Sequence, residues 1–258
     1  MTKIITTAVF ALVSFLCQAQ VSEARKTGKF SKIEVQSGIE LIYSESEEVS
    51  IKTEAENTNE LKNIVTEMKG KTLKIYYLTD KNTAILSPLK VYVNANNVTS
   101  FKATSKSKLV FNNAVKSEEI TIDVSSGASF SGTLAKNTKT TVRARSGAIV
   151  CSLIDTDFLD GNFKSGASVS FSGKAQKANL SASSGAFCTA KNLASEKATI
   201  SAIEISSVLI QANGSIKAEA ENGSSITYFG NPNVVKLTKN SFAIVSKKNT
   251  KQVQIAMD

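Results

Sequence analysis

Ser126-Gly127-Ala128-Ser129-Phe130, Ser146-Gly147-Ala148-Ile149-Val150, Ser165-Gly166-Ala167-Ser168-Val169 and Ser184-Gly185-Ala186-Phe187-Cys188 are four copies of one short motif. Their glycines lie 20, 19 and 19 residues apart. Weaker copies flank them. Lys106 takes the glycine position before the run, and Ile205 and Gly223 take it after. The seven copies step by 21, 20, 19, 19, 20 and 18 residues. A fixed period of this length is the mark of a chain that stacks one small unit on the next.

The positions around the glycine give the unit its shape. The third residue on is Leu109, Phe130, Val150, Val169, Cys188, Val208 and Ile226, always apolar or a thiol. The first residue on is Ser107, Ala128, Ala148, Ala167, Ala186, Ser206 and Ser224, always small. The second and fourth are mostly polar, so the stretch alternates as a strand with one buried face does. A second strand precedes the glycine. Ile122, Val142, Leu180 and Ile200 stand five residues before it, and Val124, Ala144, Phe163, Ala182, Ala202 and Ala220 three before. A weaker third lies near Leu134, Ile154 and Leu193.

Three short strands per 19–20 residues predict one triangular coil of a single-stranded, right-handed parallel β-helix, an all-β solenoid. Successive coils would stack equivalent residues about 4.8 Å apart into internal ladders. The small residue belongs at a corner, where glycine supplies a positive φ. An up-and-down antiparallel sheet would need neither a constant corner nor a constant coil length.

This register separates the two cysteines of the repeat. Cys188 falls on the inward ladder, and Cys151, four residues past its glycine, falls outward. Two coil rises, about 9.6 Å, exceed the roughly 7 Å that a disulfide allows between Cα atoms. No disulfide between them is expected.

Residues 30–103 lack the glycine-alanine corner and read as irregular first coils, with regular coils over 104–235. Candidate strands are Phe30–Val35, Ile39–Ser44, Val49–Thr53, Leu73–Leu78 and Leu89–Val93, and Lys69-Gly70-Lys71-Thr72 is a turn. Leu61, Ile64, Val65 and Met68 have helical spacing and predict a short helix. Residues 20–29 read as a linker and 236–258 as a terminal strand or cap, with no linker long enough to divide the chain.

Lys3, the 13-residue apolar run Ile4 to Leu16, and Cys17-Gln18-Ala19 have the order of a cleavable export signal over residues 1–19. The mature chain would begin at Gln20 and leave the cytoplasm for the periplasm, the outer surface or the medium. Thirteen residues are too few for a helix that crosses about 30 Å of hydrocarbon, so no transmembrane segment is expected in the mature chain. Leu16 directly before Cys17 departs from the spacing of a lipid-attachment cysteine.

Composition narrows the chemistry. The 258 residues contain no histidine, which removes His-dependent nucleophile systems and His-ligated metals. The net charge is +9, and subtracting Lys3 leaves 9 − 1 = +8 for the mature chain. The lysines are scattered, without an arginine-aromatic cluster, so nucleic acid is not an expected partner.

Phe30-Ser31-Lys32-Ile33, then Val35 and Gly38-Ile39-Glu40 ahead of a strand with Tyr43, resemble the opening of the bacterial head GIN domain family, the heads of auto-transporter adhesins. Thr72-Leu73-Lys74-Ile75 after Gly70 resembles its next landmark. The Ser-Gly-Ala corners and Ile226-Thr227-Tyr228-Phe229-Gly230-Asn231-Pro232 resemble its close. The resemblance covers about residues 30–235, with Glu40 where the family name has Asn. It implies an exported β-helical protein with an adhesin-like role. No C-terminal membrane barrel is read, so the chain is not expected to translocate itself.

Two groups could carry chemistry. Asp155, Asp157 and Asp160 before Gly161 resemble a calcium loop, but the third acid falls one residue late for that geometry, and polar corner residues explain it equally. Asp123, Arg143, Arg145 and Lys164 fall on one outward column, where β-helical polysaccharide lyases or hydrolases place acid and base groups. A surface ion pair explains the same residues. Ile149 and Phe187 point outward, with Ser168 between them. The expectation is a non-catalytic envelope or secreted protein that binds extracellular glycans or cell-surface proteins, without cofactor. A lyase or hydrolase of acidic glycans is the rival. Oligomeric state is not legible.

Overall fold

The computed structural model describes residues 20–78, 88–240 and 242–248. Residues 1–19, read as an export signal and including Cys17, lie outside the described residues, as does the stretch 249–258. The first part of the chain holds β1 (Val21–Arg25), β2 (Lys32–Val35), β3 (Glu40–Glu45), β4 (Ser50–Ala55), α1 (Thr58–Asn63), β5 (Ile64–Lys69), β6 (Thr72–Tyr77), β7 (Lys90–Ala95), β8 (Ser100–Ala103) and β9 (Lys108–Phe111). The repeat holds β10 (Glu119–Ser125), β11 (Ser129–Arg145), β12 (Ile149–Lys164), β13 (Ser168–Ala182), β14 (Phe187–Ala202), β15 (Ser207–Ala220) and β16 (Ser225–Phe229). It closes with β17 (Val234–Lys239) and β18 (Ile244–Lys247).

The repeat is a parallel β-solenoid, and the described residues make about 7 turns. Phe130 pairs with Val150, Val150 with Val169, Val169 with Cys188, Cys188 with Val208 and Val208 with Ile226. All six are buried, and so is Leu109 below them. Cys188 is sealed in the ladder, Cys151 is exposed, and both are free thiols. Each coil is more continuous than three separate strands. β11 runs 17 residues without a break and bends within itself, so the Ser-Gly corner is the one interruption per turn.

The corner owes its shape to two consecutive residues in the left-handed region. Ser126 and Gly127 have φ of 57° and 71°, Ser146 and Gly147 of 56° and 70°, Ser165 and Gly166 of 53° and 71°. The Ala128 N–H donates back to the Ser125 carbonyl at 3.2 Å, closing a turn of the mirror-image type I class. The corners are also bonded to one another. Gly127, Gly147, Gly166 and Gly185 each donate an N–H to the corner carbonyl of the next coil, all at 3.0 Å. The small residue that follows is alanine, or a serine whose hydroxyl reaches a carbonyl of the previous coil. Ser206 donates to Ala182 O at 2.9 Å and Ser224 to Ala202 O at 2.6 Å.

Ile205 sits at the glycine position of its corner with φ 60° and 80% exposure. A β-branched residue in this region costs about 1–2 kcal/mol, against about 0.5–1 kcal/mol for the entropy of a glycine. Ile205→Gly is therefore expected to stabilise the fold by about 0.5–1 kcal/mol, read as a higher denaturant midpoint at unchanged slope.

The N-terminal part corrects two sequence readings. The residues read as a helix over Leu61 to Met68 divide: α1 ends at Asn63, and Ile64–Lys69 is β5, hairpinned through Gly70 onto β6. The helical spacing of Ile64, Val65 and Met68 yields to cross-strand pairing with Tyr77, Tyr76 and Leu73. Val21–Arg25, read as linker, is strand β1, antiparallel to β4. A further Ser-Gly corner, Ser37-Gly38 with φ of 66° and 72°, lies in this part, followed by Ile39 rather than by alanine.

Chain order and axial order differ here. β2 lies between β6 and β8, and β3 between β7 and β9, all parallel. Beyond them β4, β1 and β5 turn antiparallel and α1 plugs the end with buried Leu61. Asn57 Oδ1 caps α1 by accepting from the Glu60 N–H at 3.0 Å. Tyr43, Phe101, Phe111 and Phe130 pack edge to face or tilted beneath this cap, with centroids 4.7–5.4 Å apart.

Candidate functional site

Each coil presents two broad outward faces, one after the corner and one before it. On the first, strand parity points Ser129, Ser131, Ser168, Ser170, Ser207 and Ser225 outward, chiefly on alternate rungs. Ile149, Cys151, Phe187 and Leu209 interrupt the hydroxyls. None of these ten side chains carries a formal charge at neutral pH. Ile149 is 56% exposed and Phe187 43%, with Ser168 on the rung between them, as the sequence register required.

The second face is charged. It brings Asp123 beside Arg143, Arg143 beside Asn162, and Arg145 beside Lys164 in register. Arg145 Nη1 donates to Asp123 Oδ1 at 2.9 Å, a half-exposed ion pair. Such a pair contributes on the order of 0–1 kcal/mol and leaves Asp123 engaged. The corners on this side are two residues long, so no loop rises from them to wall a groove around Arg143 or Lys164.

The three aspartates of the calcium reading are spread along β12. Asp155 faces Lys174 of the next coil at 3.4 Å. Asp157 lies in the bend and lines a shallow groove with Thr138, Phe158, Gln176 and Lys177. Asp160 is in register with Thr141 and Asn179 on the second face. Among the described residues no three acidic or thiol groups gather as a metal site.

Sequence reasoning missed a groove at the N-terminal end. It encloses about 660 Å³ beside the N-terminal cap, between Thr27–Ser31, Val49, Lys71 and Ala95–Asn97. No motif marks it, because its walls come from four distant stretches joined by the non-sequential stacking of the first coils.

The burial of titratable groups is structural. Burial pushes the Cys188 thiol up, which keeps it protonated and unreactive. Burial, and then the nearby Glu45 carboxylate, push the Tyr43 hydroxyl up while it donates to Ala95 O at 2.7 Å. Among the described residues no helix is long and apolar enough to cross a membrane.

A family model described as "Putative auto-transporter adhesin, head GIN domain" matches residues 29–232. A crystal structure described as a putative adhesin from Parabacteroides merdae is 17% identical, with a TM-score of 0.81 over 89% of this chain and 96% of that one. One from Parabacteroides distasonis, described as a putative lipid binding protein, is 16% identical, with a TM-score of 0.79 over 89% and 96%. One from Bacteroides fragilis, described as a putative adhesin, is 18% identical, with a TM-score of 0.62 over 90% and 97%. At these identities the likeness is one of fold. No curated protein matches the sequence significantly.

Proposed function

Because this chain belongs to the head GIN domain family of auto-transporter adhesins, we propose that it is an exported, non-catalytic binding protein that holds extracellular glycans or cell-surface proteins along the flat faces of its solenoid. The observation that carries this reading is the first face, where neutral side chains run from Ser129 to Ser225 and serine hydroxyls recur chiefly on alternate coils, about 9.6 Å apart at twice the coil rise. Repeated donors and acceptors on a flat surface suit multivalent contact, in which weak polar bonds add without a deep pocket. Ile149 and Phe187 supply apolar anchors of the kind that stack on sugar rings or partner side chains. Export by the signal pattern of residues 1–19 would bring this face to such partners.

The second face supports a lyase less well. A lyase needs an unpaired base and an enclosed site that excludes water, whereas Asp123 already holds Arg145 and the corners build no walls. A glycan-array screen run beside an assay for unsaturated uronate products separates the two readings. Binding is expected without product. Ile149→Ser and Phe187→Ser should each weaken it about tenfold. Release of unsaturated product, abolished by Arg143→Ala, would overturn the proposal in favour of the lyase.

A further inference from the structure

The two ends of the solenoid are built differently. The N-terminal end is closed by α1 and by antiparallel β1, β4 and β5. At the other end β17 pairs with β15 and β18 with β16, and no described strand lies beyond either. All six residues of β17 are exposed. Val234, Val235, Leu237 and Ile244 are 44–60% exposed, and Phe242 is 99% exposed at the tip of the last corner. Exposed apolar side chains gathered at one place mark an interaction surface.

Charge specifies what meets it. From residue 222 to residue 257 the sequence holds no Asp or Glu and carries Lys236, Lys239, Lys247, Lys248 and Lys251. Lys236, Lys239, Lys247 and Lys248 are exposed around the apolar residues. A second copy docked end to end would set these lysines against their own equivalents. A second copy docked head to tail would meet the N-terminal end, where the edge strands β1 and β5 run antiparallel to their neighbours and α1 packs against them, so no parallel ladder is offered for β17 and β18 to continue. An acidic surface that accepts scattered apolar side chains without a shaped pocket satisfies both observations.

We propose that the open C-terminal end of the solenoid docks on an anionic phospholipid bilayer. Phe242 and Ile244 enter the headgroup boundary, and Lys236, Lys239, Lys247 and Lys248 lie against the lipid phosphates. The solenoid axis then stands off the bilayer and leaves both lateral faces free.

Co-sedimentation of the full mature chain with phosphatidylcholine vesicles, with and without phosphatidylglycerol, tests this. Binding is expected only with phosphatidylglycerol and should weaken as salt rises. Lys236→Gln and Lys239→Gln should each lower the partition constant about fivefold, and Phe242→Ser about tenfold, at unchanged melting temperature. Lys177→Gln, an exposed lysine on a lateral face, should leave it unchanged. Equal binding to both vesicles, or equal losses in the Lys177 variant, would overturn the proposal. Self-association lost in Phe242→Ser would instead put a second copy on this end. A monomer that sediments with neither vesicle would likewise overturn the proposal.

Discussion

Val169→Asp is expected to destabilise the fold by about 4 kcal/mol or more, and Ser168→Asp by less than about 0.5 kcal/mol, in parallel denaturant titrations. The two positions are adjacent in sequence and opposite in environment. Val169 is 1% exposed and stacked between Val150 and Cys188, whereas Ser168 points to solvent between Ile149 and Phe187. A carboxylate at 169 would meet the methyls of one coil and the thiol of the next, with no donor and no water. Cys188, on the adjoining rung, registers the same medium: burial alone pushes its thiol up. The introduced Asp would likewise have a raised folded-state pKa. The sign follows from linkage. A carboxyl whose folded pKa exceeds its unfolded value destabilises as pH rises above the unfolded value of about 3.9, so the penalty should shrink as pH is lowered toward that value. Equal melting temperatures for the two variants would refute the strand parity and the coil register with it.

Gly173→Ala is expected to cost about 3 kcal/mol or more, while Gly147→Ala costs about 1–2 kcal/mol. Both glycines have positive φ, 104° and 70°, so both substitutions strain the backbone. They differ in what the new methyl meets. At Gly147 nothing lies within 4 Å of it. At Gly173 the methyl would fall 2.1 Å from the Ile154 carbonyl oxygen and 3.1 Å from the Ile154 carbonyl carbon. That oxygen is backbone, held in a ladder between parallel strands, and cannot swing aside as a side-chain end would. Gly173 also stands in register between Ile154 and Leu193, so β13 and both its neighbours would have to shift. A melting temperature for Gly173→Ala equal to that of Gly147→Ala would show that the coil gives way there.

The conformation of weak corners lay beyond the sequence alone. Ile205 was placed at the glycine position by spacing, but neither isoleucine nor the preceding Glu204 favours a left-handed φ. Both adopt it, at 60° and 56°, because corners above and below bond to this one. At Gly161 the buried ladder lacks a side chain altogether. Phe163 and Leu180 fill the space, and a methyl at Gly161 would come within 2.5 and 2.8 Å of them. Compensation of this kind involves a neighbouring coil, so a position-by-position pattern does not reveal it.

From the residues alone follow the solenoid, its coil length and the inward or outward sense of most strand residues flanking the corners between 107 and 226; the bulged bends, and Ser125 and Ser183, which are buried, escape that alternation. They follow because the period and the two-residue alternation are local properties repeated seven times. The same alternation made the two faces legible, and with them the outward Asp123, Arg143, Arg145, Ile149 and Phe187. Tertiary structure alone decided the closed N-terminal end, where β6 and β7 insert outside β2 and β3. It also decided that Ile64–Lys69 is a strand despite its helical spacing, that the groove at Phe30 and Val49 exists, and that Arg145 rather than Arg143 holds Asp123. Each of these depends on which distant strands share a rung, and that choice rests on the pairing free energy of the whole stack.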